Sequence, residues 1–545
     1  MKRLTTLLLL AALAAFAFET LPLKLDNLKT AGTPGAVTTQ DGVVRLTLKG
    51  VNQAPFIAIT QCPIADEAPA FYVVRGQIRT EGTATCHVSV TMRNEKGGWI
   101  REVSTPDFTG GEWQDFALRF YTHEQTRRLD INLLASNGGA ALFRNLAVEK
   151  TTAEEGRPAD APDMEFWINM DYNDDVGYWH NIKGMKRYDA AAIANYFRFC
   201  KENGVTGVLW RVSCMGQMDY PTKVGTVYPS FMDEAQMSDT EKRMKSIIAE
   251  FDPVEVAVRE ARRNGIQIYI WMTVCDEAYN DPEKGKVHYS QFLEDHPECK
   301  LLDREGKPLE GTMSYSEPAA REYRLALVKE LLGYGADGLY LCNRTHSWSF
   351  GNDPDCDYGF NPTAVAEYQK RYGVDIRTVD FEKEPEAKKQ WMALKAEGYD
   401  QLIHEASQMI HAAGQKLMLG VSFWGVSTGQ IGANYGKLSV DIPGYLRDGY
   451  VDAIVSGQYM VGPFFAAAEA AAFRRHARPG QKLYFWAQMV HYGKGMITVQ
   501  DLLDQAAFFN FYGANGAMYH ESINFEEHDH PETYMKPISK FFREH

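Results

Sequence analysis

No apolar run after residue 20 supplies the ~20 residues that a membrane-spanning helix needs. Cysteine is sparse and never paired as CxxC: the eight stand at 62, 86, 200, 214, 275, 299, 342 and 356. That spacing argues against a zinc ribbon or a thioredoxin-like site. Cys62–Cys86 and Cys342–Cys356 are possible disulfides in an exported chain, with buried free thiols as the alternative. Positive charge is in deficit, 57 Lys and Arg against 71 Asp and Glu, for a net −14. This excludes the basic face that nucleic acid or an acidic lipid surface requires, and is compatible with neutral sugars. The chain lacks a GxGxxG fingerprint, an HExxH pair and a complete EF-hand loop. His520 and His530 with Glu526, Glu527 and Asp529, and the alternating Asp353, Asp355 and Asp357, read as solvent-facing loops. Neither a cofactor nor a metal is expected.

What is present begins with a leader pattern. Lys2 and Arg3 precede the apolar run Leu7–Ala15, and Ala15-Phe16-Ala17 offers small residues for cleavage. Residues 1–17 are expected to be a signal peptide, giving a secreted or periplasmic protein; a buried N-terminal helix is the alternative. With 545 residues, 45% hydrophobic and 12% aromatic, the chain can build large cores, and its length suggests two to four domains at ~150 residues each.

Residues 18–150 carry a period of two. Val43–Leu48, Phe71–Gly76, Cys86–Thr91, Phe116–Phe120 and Leu129–Leu133 alternate between Gly, Asn and Asp turns. Many short strands and no helical period predict an all-β sandwich. The order resembles the jelly-roll, carbohydrate-binding-module-like domains of secreted glycosidases, and Gly111-Glu112-Trp113 is similar to their Gly-x-Trp turn. Trp113 reads either as a core residue closing the sandwich or as a sugar platform. Residues 151–163, rich in Thr, Ala, Glu, Pro and Asp, read as a linker.

From 164 to 545 strands and helices alternate. Eight apolar runs stand out: Phe166–Met170, Gly207–Val212, Gln267–Thr273, Gly338–Cys342, Lys416–Ser422, Ala453–Tyr459, Leu483–Met489 and Ala517–His520. Amphipathic stretches such as Tyr188–Asn203, Pro253–Asn264, Glu317–Leu332, Pro362–Tyr372 and Trp391–Ala413 separate them. Eight such units predict a (β/α)8 TIM barrel, making the whole an α/β chain preceded by the sandwich. Phrases such as Asn203-Gly204-Val205-Thr206-Gly207 mark a helix C-cap and a short loop into a strand.

The active site of such a barrel lies at the C-terminal strand ends. Those ends deliver Asp171; Arg211; Trp271 with Asp276 and Glu277; Asn343, Arg344 and His346; Trp424; Gln458 and Tyr459; Trp486 and Gln488; and His520 with Glu521. Carboxylates suit acid–base work on a glycosidic bond, aromatic faces pack on sugar C–H surfaces, and Arg, Asn and Gln satisfy hydroxyls. A single strand-end Asp also serves as a helix N-cap or ion-pair partner.

The order His296-Pro297-Glu298, Tyr315-Ser316-Glu317-Pro318, Arg321-Glu322-Tyr323 and Asp337-Gly338-Leu339-Tyr340-Leu341 resembles the glycosyl-hydrolase-like barrels related to glycoside hydrolase family ten. Arg344-Thr345-His346-Ser347, Asp357-Tyr358-Gly359-Phe360-Asn361 and the Tyr368–Gly373 stretch are similar to a secreted branch of that family. The resemblance implies a secreted glycoside hydrolase acting on a poly- or oligosaccharide. It departs at strand four, which ends in Cys342-Asn343-Arg344, and at strand seven, which ends in Ala487-Gln488. The usual glutamates are therefore missing from both places. The catalytic candidates are Glu521, Asp357 and Asp276, while Arg211, Arg344 and His346 would bind hydroxyls or a charged substituent. A glycan-binding barrel without catalysis, or a lyase using Arg211, Arg344, His346 and Tyr459, are the rivals. Oligomeric state stays open.

Overall fold

The computed structural model describes residues 20–544 except 49, 51–53, 65–69, 106, 124, 152–162, 179–187, 282–284, 344–357, 422–424, 432–437, 458–462, 492–494, 497 and 524–531. The leader falls outside the described residues. The chain divides into two compact units, Met1–Asp160 with Gly462–Ala467 and Phe511–Gly513, and the remainder.

The first unit is built from two antiparallel sheets. One has the order Gly35–Gln40, Val43–Leu48, Ala140–Thr151, Phe71–Glu81, Gln114–Tyr121, with Thr20–Leu21 also pairing on Ala140–Thr151. The other has the order Lys29–Gly32, Phe56–Pro63, Arg128–Ser136, Thr85–Arg93, Trp99–Ser104. Alternation turns Val44, Leu46, Val74 and Ile78 of one sheet and Val88, Val90, Ile131 and Leu133 of the other into a shared core. Cys62 and Cys86 lie in that core as free thiols, pushed up to about 11 and about 12 by burial. Trp113 is half-buried, with the Arg144 guanidinium 4.1 Å and that of Arg79 5.1 Å from its ring centre. Cations flank the indole, so it is neither a core residue nor an open platform.

The second unit contains a closed parallel barrel of eight strands: β1 (Glu165–Met170), β2 (Gly207–Arg211), β3 (Gln267–Thr273), β4 (Gly338–Cys342), β5 (Lys416–Val421), β6 (Ala453–Ser456), β7 (Lys482–Gln488) and β8 (Gly516–His520). Each falls on one of the eight apolar runs. Burial on both faces, helix outside and neighbouring strands inside, makes these runs continuous rather than alternating. The helices between, such as Ala190–Glu202, Pro253–Asn264 and Pro318–Leu332, are also where their patterns put them. Pro at the first turn and Gly265 at φ 69° bracket Pro253–Asn264.

The paired glycines before the strands do two jobs. Gly204, at φ 74°, turns the chain out of its helix. Gly207 makes room: a Cβ there would stand 2.4 Å from the Trp167 ring. Trp167, Tyr269 and Tyr484 pack against one another inside the lower barrel, with ring centres 5.3 and 5.5 Å apart. Above them Trp271 meets Tyr340 and Trp486 edge-on. Below this layer Glu165 accepts from Trp167 Nε1 at 2.8 Å and the Tyr484 hydroxyl at 2.6 Å and ion-pairs with Lys482; above it lies a second polar region.

Candidate active site at the C-terminal end of the barrel

Inward parity along β1 runs Glu165, Trp167, Asn169, Asp171, so above the Trp167 layer this strand turns Asn169 and Asp171 inward. Asp171 ends it, and its carbonyl accepts from the backbone N–H of Asp174 and Asp175 at 2.9 and 3.1 Å, opening α1 (Tyr172–Tyr178). The chain reversal brings Asp174 back beside Asp171. On the far side of the closure, β8 ends in His520, and Glu521 follows through a cis peptide. One carboxylate oxygen from each of Asp171, Asp174 and Glu521 lies within 4.8 Å of the others. Asp171 is buried, whereas Asp174 and Glu521 are part-exposed.

Arg211, at the end of β2, governs the charge here. Its guanidinium is 2% exposed and ion-pairs with Asp171, and Nη2 is 3.7 Å from Asp276. Nε donates to the Ser213 carbonyl at 3.0 Å, and the group lies 5.1 Å from the Trp271 ring centre. Burial works against its charge, but Asp171, Cys214 and Asp276 hold its pKa well above the usual value. Asp276 in turn accepts the Met215 backbone N–H at 3.0 Å. Burial drives the Cys214 thiol well above its usual range, so it is no nucleophile.

Two groups without a local sequence signal complete the network. Asp219 is buried and accepts both bonds from Asn173 Nδ2 at 3.1 Å. Burial pushes its pKa up to about 7, Asp171 adding to this and Arg211 opposing it. A folded-state value above the unfolded ~3.9 means that the native state holds the proton more tightly. Between about pH 4 and pH 7 this group's contribution to stability therefore falls as pH rises. Asp219→Asn should flatten that slope, read as a smaller difference between urea midpoints at the two ends of the window.

The other group is Arg324, buried on the helix Pro318–Leu332, which ion-pairs with Glu277 and donates to the Tyr315 hydroxyl at 3.2 Å. Burial lifts Glu277 above its usual range against the pull of Arg324. Glu277 and Arg324 are each 1% exposed at the side chain.

The remaining sequence candidates are placed as follows. Trp271 and Trp486 are buried in the upper aromatic layer, and the Trp486 ring lies 4.9 Å from that of His520. Asn343 is buried, donating to the Gly420 carbonyl at 3.0 Å and accepting from the Tyr399 hydroxyl at 2.6 Å. Asp357, Arg344, His346, Trp424, Gln458 and Tyr459 lie outside the described residues, as does the side chain of Gln488. So do Glu526 to His530 and Cys356, while Cys342 is buried.

As a metal donor set the carboxylate trio is thin. Ca2+ takes six to eight oxygens, and one of these three is already neutralised by Arg211. Two carboxylates close together, one with its charge fixed by a buried cation, are the equipment of acid–base and nucleophilic catalysis.

No protein-family model matches the chain, and no curated protein matches it. Among solved structures it is similar to the PgaB (BpsB) glycoside hydrolase domain from Bordetella bronchiseptica, 14% identical over 69% of this chain and 98% of that one, with a TM-score of 0.44. It is also similar to TtGalA, the alpha-galactosidase from Thermus thermophilus, 10% identical over 93% and 94%, TM-score 0.37. A third is the Clostridium thermocellum xylanase 10B with its CBM22-1 and GH10 modules, 10% identical over 92% and 90%, TM-score 0.29. All three are glycoside hydrolases. No substrate carries over to this chain at such distances.

Proposed function

We propose that this chain is an exported glycoside hydrolase that cleaves a poly- or oligosaccharide with carboxylates at the C-terminal end of its barrel. The observation that carries the reading is the approach of Asp171, Asp174 and Glu521 to within 4.8 Å at the ends of β1 and β8. Glu521 is the nucleophile and Asp174 the acid. Asp171 has Arg211 to keep it ionised, and the His520 ring lies 2.7 Å from Glu521. Asp174 sits beside both carboxylates and is part-exposed, which leaves it open to a leaving oxygen. Asp276 is less suited to the partner role, being 1% exposed and occupied by the Met215 N–H.

In the first step Asp174 protonates the leaving oxygen while Glu521 attacks the anomeric carbon and forms a glycosyl ester. In the second, Asp174 takes a proton from water, which releases the sugar and restores both groups. Carboxyls about 5 Å apart serve retaining hydrolases, and inverting ones stand ~6.5–9.5 Å apart. Proton NMR of the fresh reducing end should therefore show the anomeric configuration of the substrate. The opposite anomer would assign Glu521 to water activation instead. A wild-type protein inert on a broad glycan panel would favour the non-catalytic barrel.

A further inference from the structure

The outer face of one sheet of the sandwich unit carries a positive charge that its own residues leave unbalanced. In Phe71–Glu81, Val74 and Ile78 turn into the core, so Arg75 and Gln77 turn out. In Gln114–Tyr121, Leu118 and Phe120 turn in, so Asp115 and Arg119 turn out. These four side chains, with Asn145, line a cavity of ≈ 530 Å³. That lies within the ~300–1,000 Å³ of small-ligand sites.

The two arginines share one end of it. Arg75 pairs in register with Ala117 and Val73 with Arg119, which makes the arginines diagonal neighbours across the two strands. Arg75 has Glu149 at 2.7 Å. Arg119 is half-buried and, among the described residues, has no carboxylate against it. Burial holds its pKa below the usual value, Arg75 adds to this, and the Tyr512 hydroxyl of the same unit opposes it. That phenol is itself raised by burial and carries no charge near neutral pH.

At the other end the chemistry reverses. Asp115 stands four positions from Arg119 along one strand, roughly 13 Å at ~3.3 Å per residue. It is exposed and accepts from Gln77 Nε2 at 2.9 Å, while the Gln77 oxygen accepts from Arg144 Nε at 2.7 Å. Arg144 therefore fixes the Gln77 amide with its nitrogen toward Asp115. Asn145, also exposed, donates to the same Gln77 oxygen at 3.4 Å. A carboxylate beside two amides suits hydroxyls, which both donate and accept.

We propose that this cavity binds an acidic saccharide, its uronate carboxylate or sulfate ester on Arg119 and Arg75 and its hydroxyls on Asp115, Gln77 and Asn145. Guanidinium groups take oxyanions through paired, charge-assisted hydrogen bonds. An inorganic anion would engage one end alone, and an amino acid is too short to reach from Arg119 to Asp115. A short oligosaccharide spans both. The site uses none of the barrel carboxylates and stands apart from the hydrolase reading.

Calorimetric titration of the full-length protein tests it. The probes are trigalacturonate and its methyl ester, a sulfated galactose disaccharide and its unsulfated counterpart, and sodium sulfate. At least one acidic sugar should bind, with its neutral counterpart weaker by about 10-fold or more, as loss of a charged hydrogen bond requires. Arg119→Gln should weaken the acidic sugar by a similar factor, and the more exposed Arg75→Gln gives the same reading if the first variant does not fold. Acidic and neutral sugars bound alike, no acidic probe bound, or a folded Arg119→Gln with wild-type affinity would each overturn the proposal. Sodium sulfate bound as tightly as the sugars would overturn the saccharide assignment. Binding is read without turnover, so a protein inert on every glycan leaves this prediction standing.

Discussion

Glu521→Gln is expected to lower kcat about 10³-fold or more, with little change in folding midpoint. The magnitude follows from removing a positioned reacting group, which is worth 10²–10⁴-fold for acid–base roles alone. The fold should survive because glutamine keeps the shape of a part-exposed side chain and its contact with the His520 ring. Activity and stability are thereby separated in one variant. Initial rates on the best substrate of a glycan panel, together with a urea melt, check both halves. A midpoint that falls with the rate would mean that Glu521 is structural. An unchanged rate would remove it from the mechanism.

Arg211→Met is the largest expected loss of stability, about 3–5 kcal/mol, because it strands Asp171 and Asp276 without their buried cation. Methionine matches much of the volume of the stem, so packing contributes little to the loss. The exposed pair Arg377–Asp375 is the internal comparison: its loss should move the midpoint far less. Urea midpoints at fixed pH measure both. Adding Asp171→Asn to Arg211→Met should recover part of the loss, since one stranded charge is then removed. Equal costs for the buried and the exposed arginine would show that Asp171 carries no unmet charge when Arg211 is absent, and would undo the charge assignments at the site.

How far the site was legible depends on what kind of pattern each residue sits in. All eight barrel strands read directly, since burial on both faces writes an unbroken apolar run, and glycine and asparagine punctuate it. In the first unit Val43–Leu48 and Phe71–Gly76 read equally well. Gly35–Gln40 and Trp99–Ser104, at sheet edges where one face need not be apolar, were not singled out, and neither were the interior strands Phe56–Pro63 and Ala140–Thr151. Strand ends pointed to Asp171, Arg211, His520 and Glu521, which the barrel closure brings together. Their roles were not legible, because they depend on which strand neighbours which: β1 and β8 are adjacent only once the barrel closes.

Asn169 escaped attention inside an apolar run, where a single amide looks like noise until inward parity is known. Asp219 follows a short hairpin that shows no period. Arg324 finds Glu277 across 47 positions of sequence. Long-range pairing of buried charge leaves no local trace, and the inner wall of this site is made of it.

The central claim is that Glu521 forms the covalent bond. Incubation with a 2-deoxy-2-fluoro glycosyl fluoride matched to the preferred substrate, followed by peptide mass spectrometry, tests it most directly. The predicted result is a glycosyl label on Glu521 that vanishes in Glu521→Gln. A label on a different carboxylate, or steady turnover of the natural substrate with no label on any residue, would contradict it.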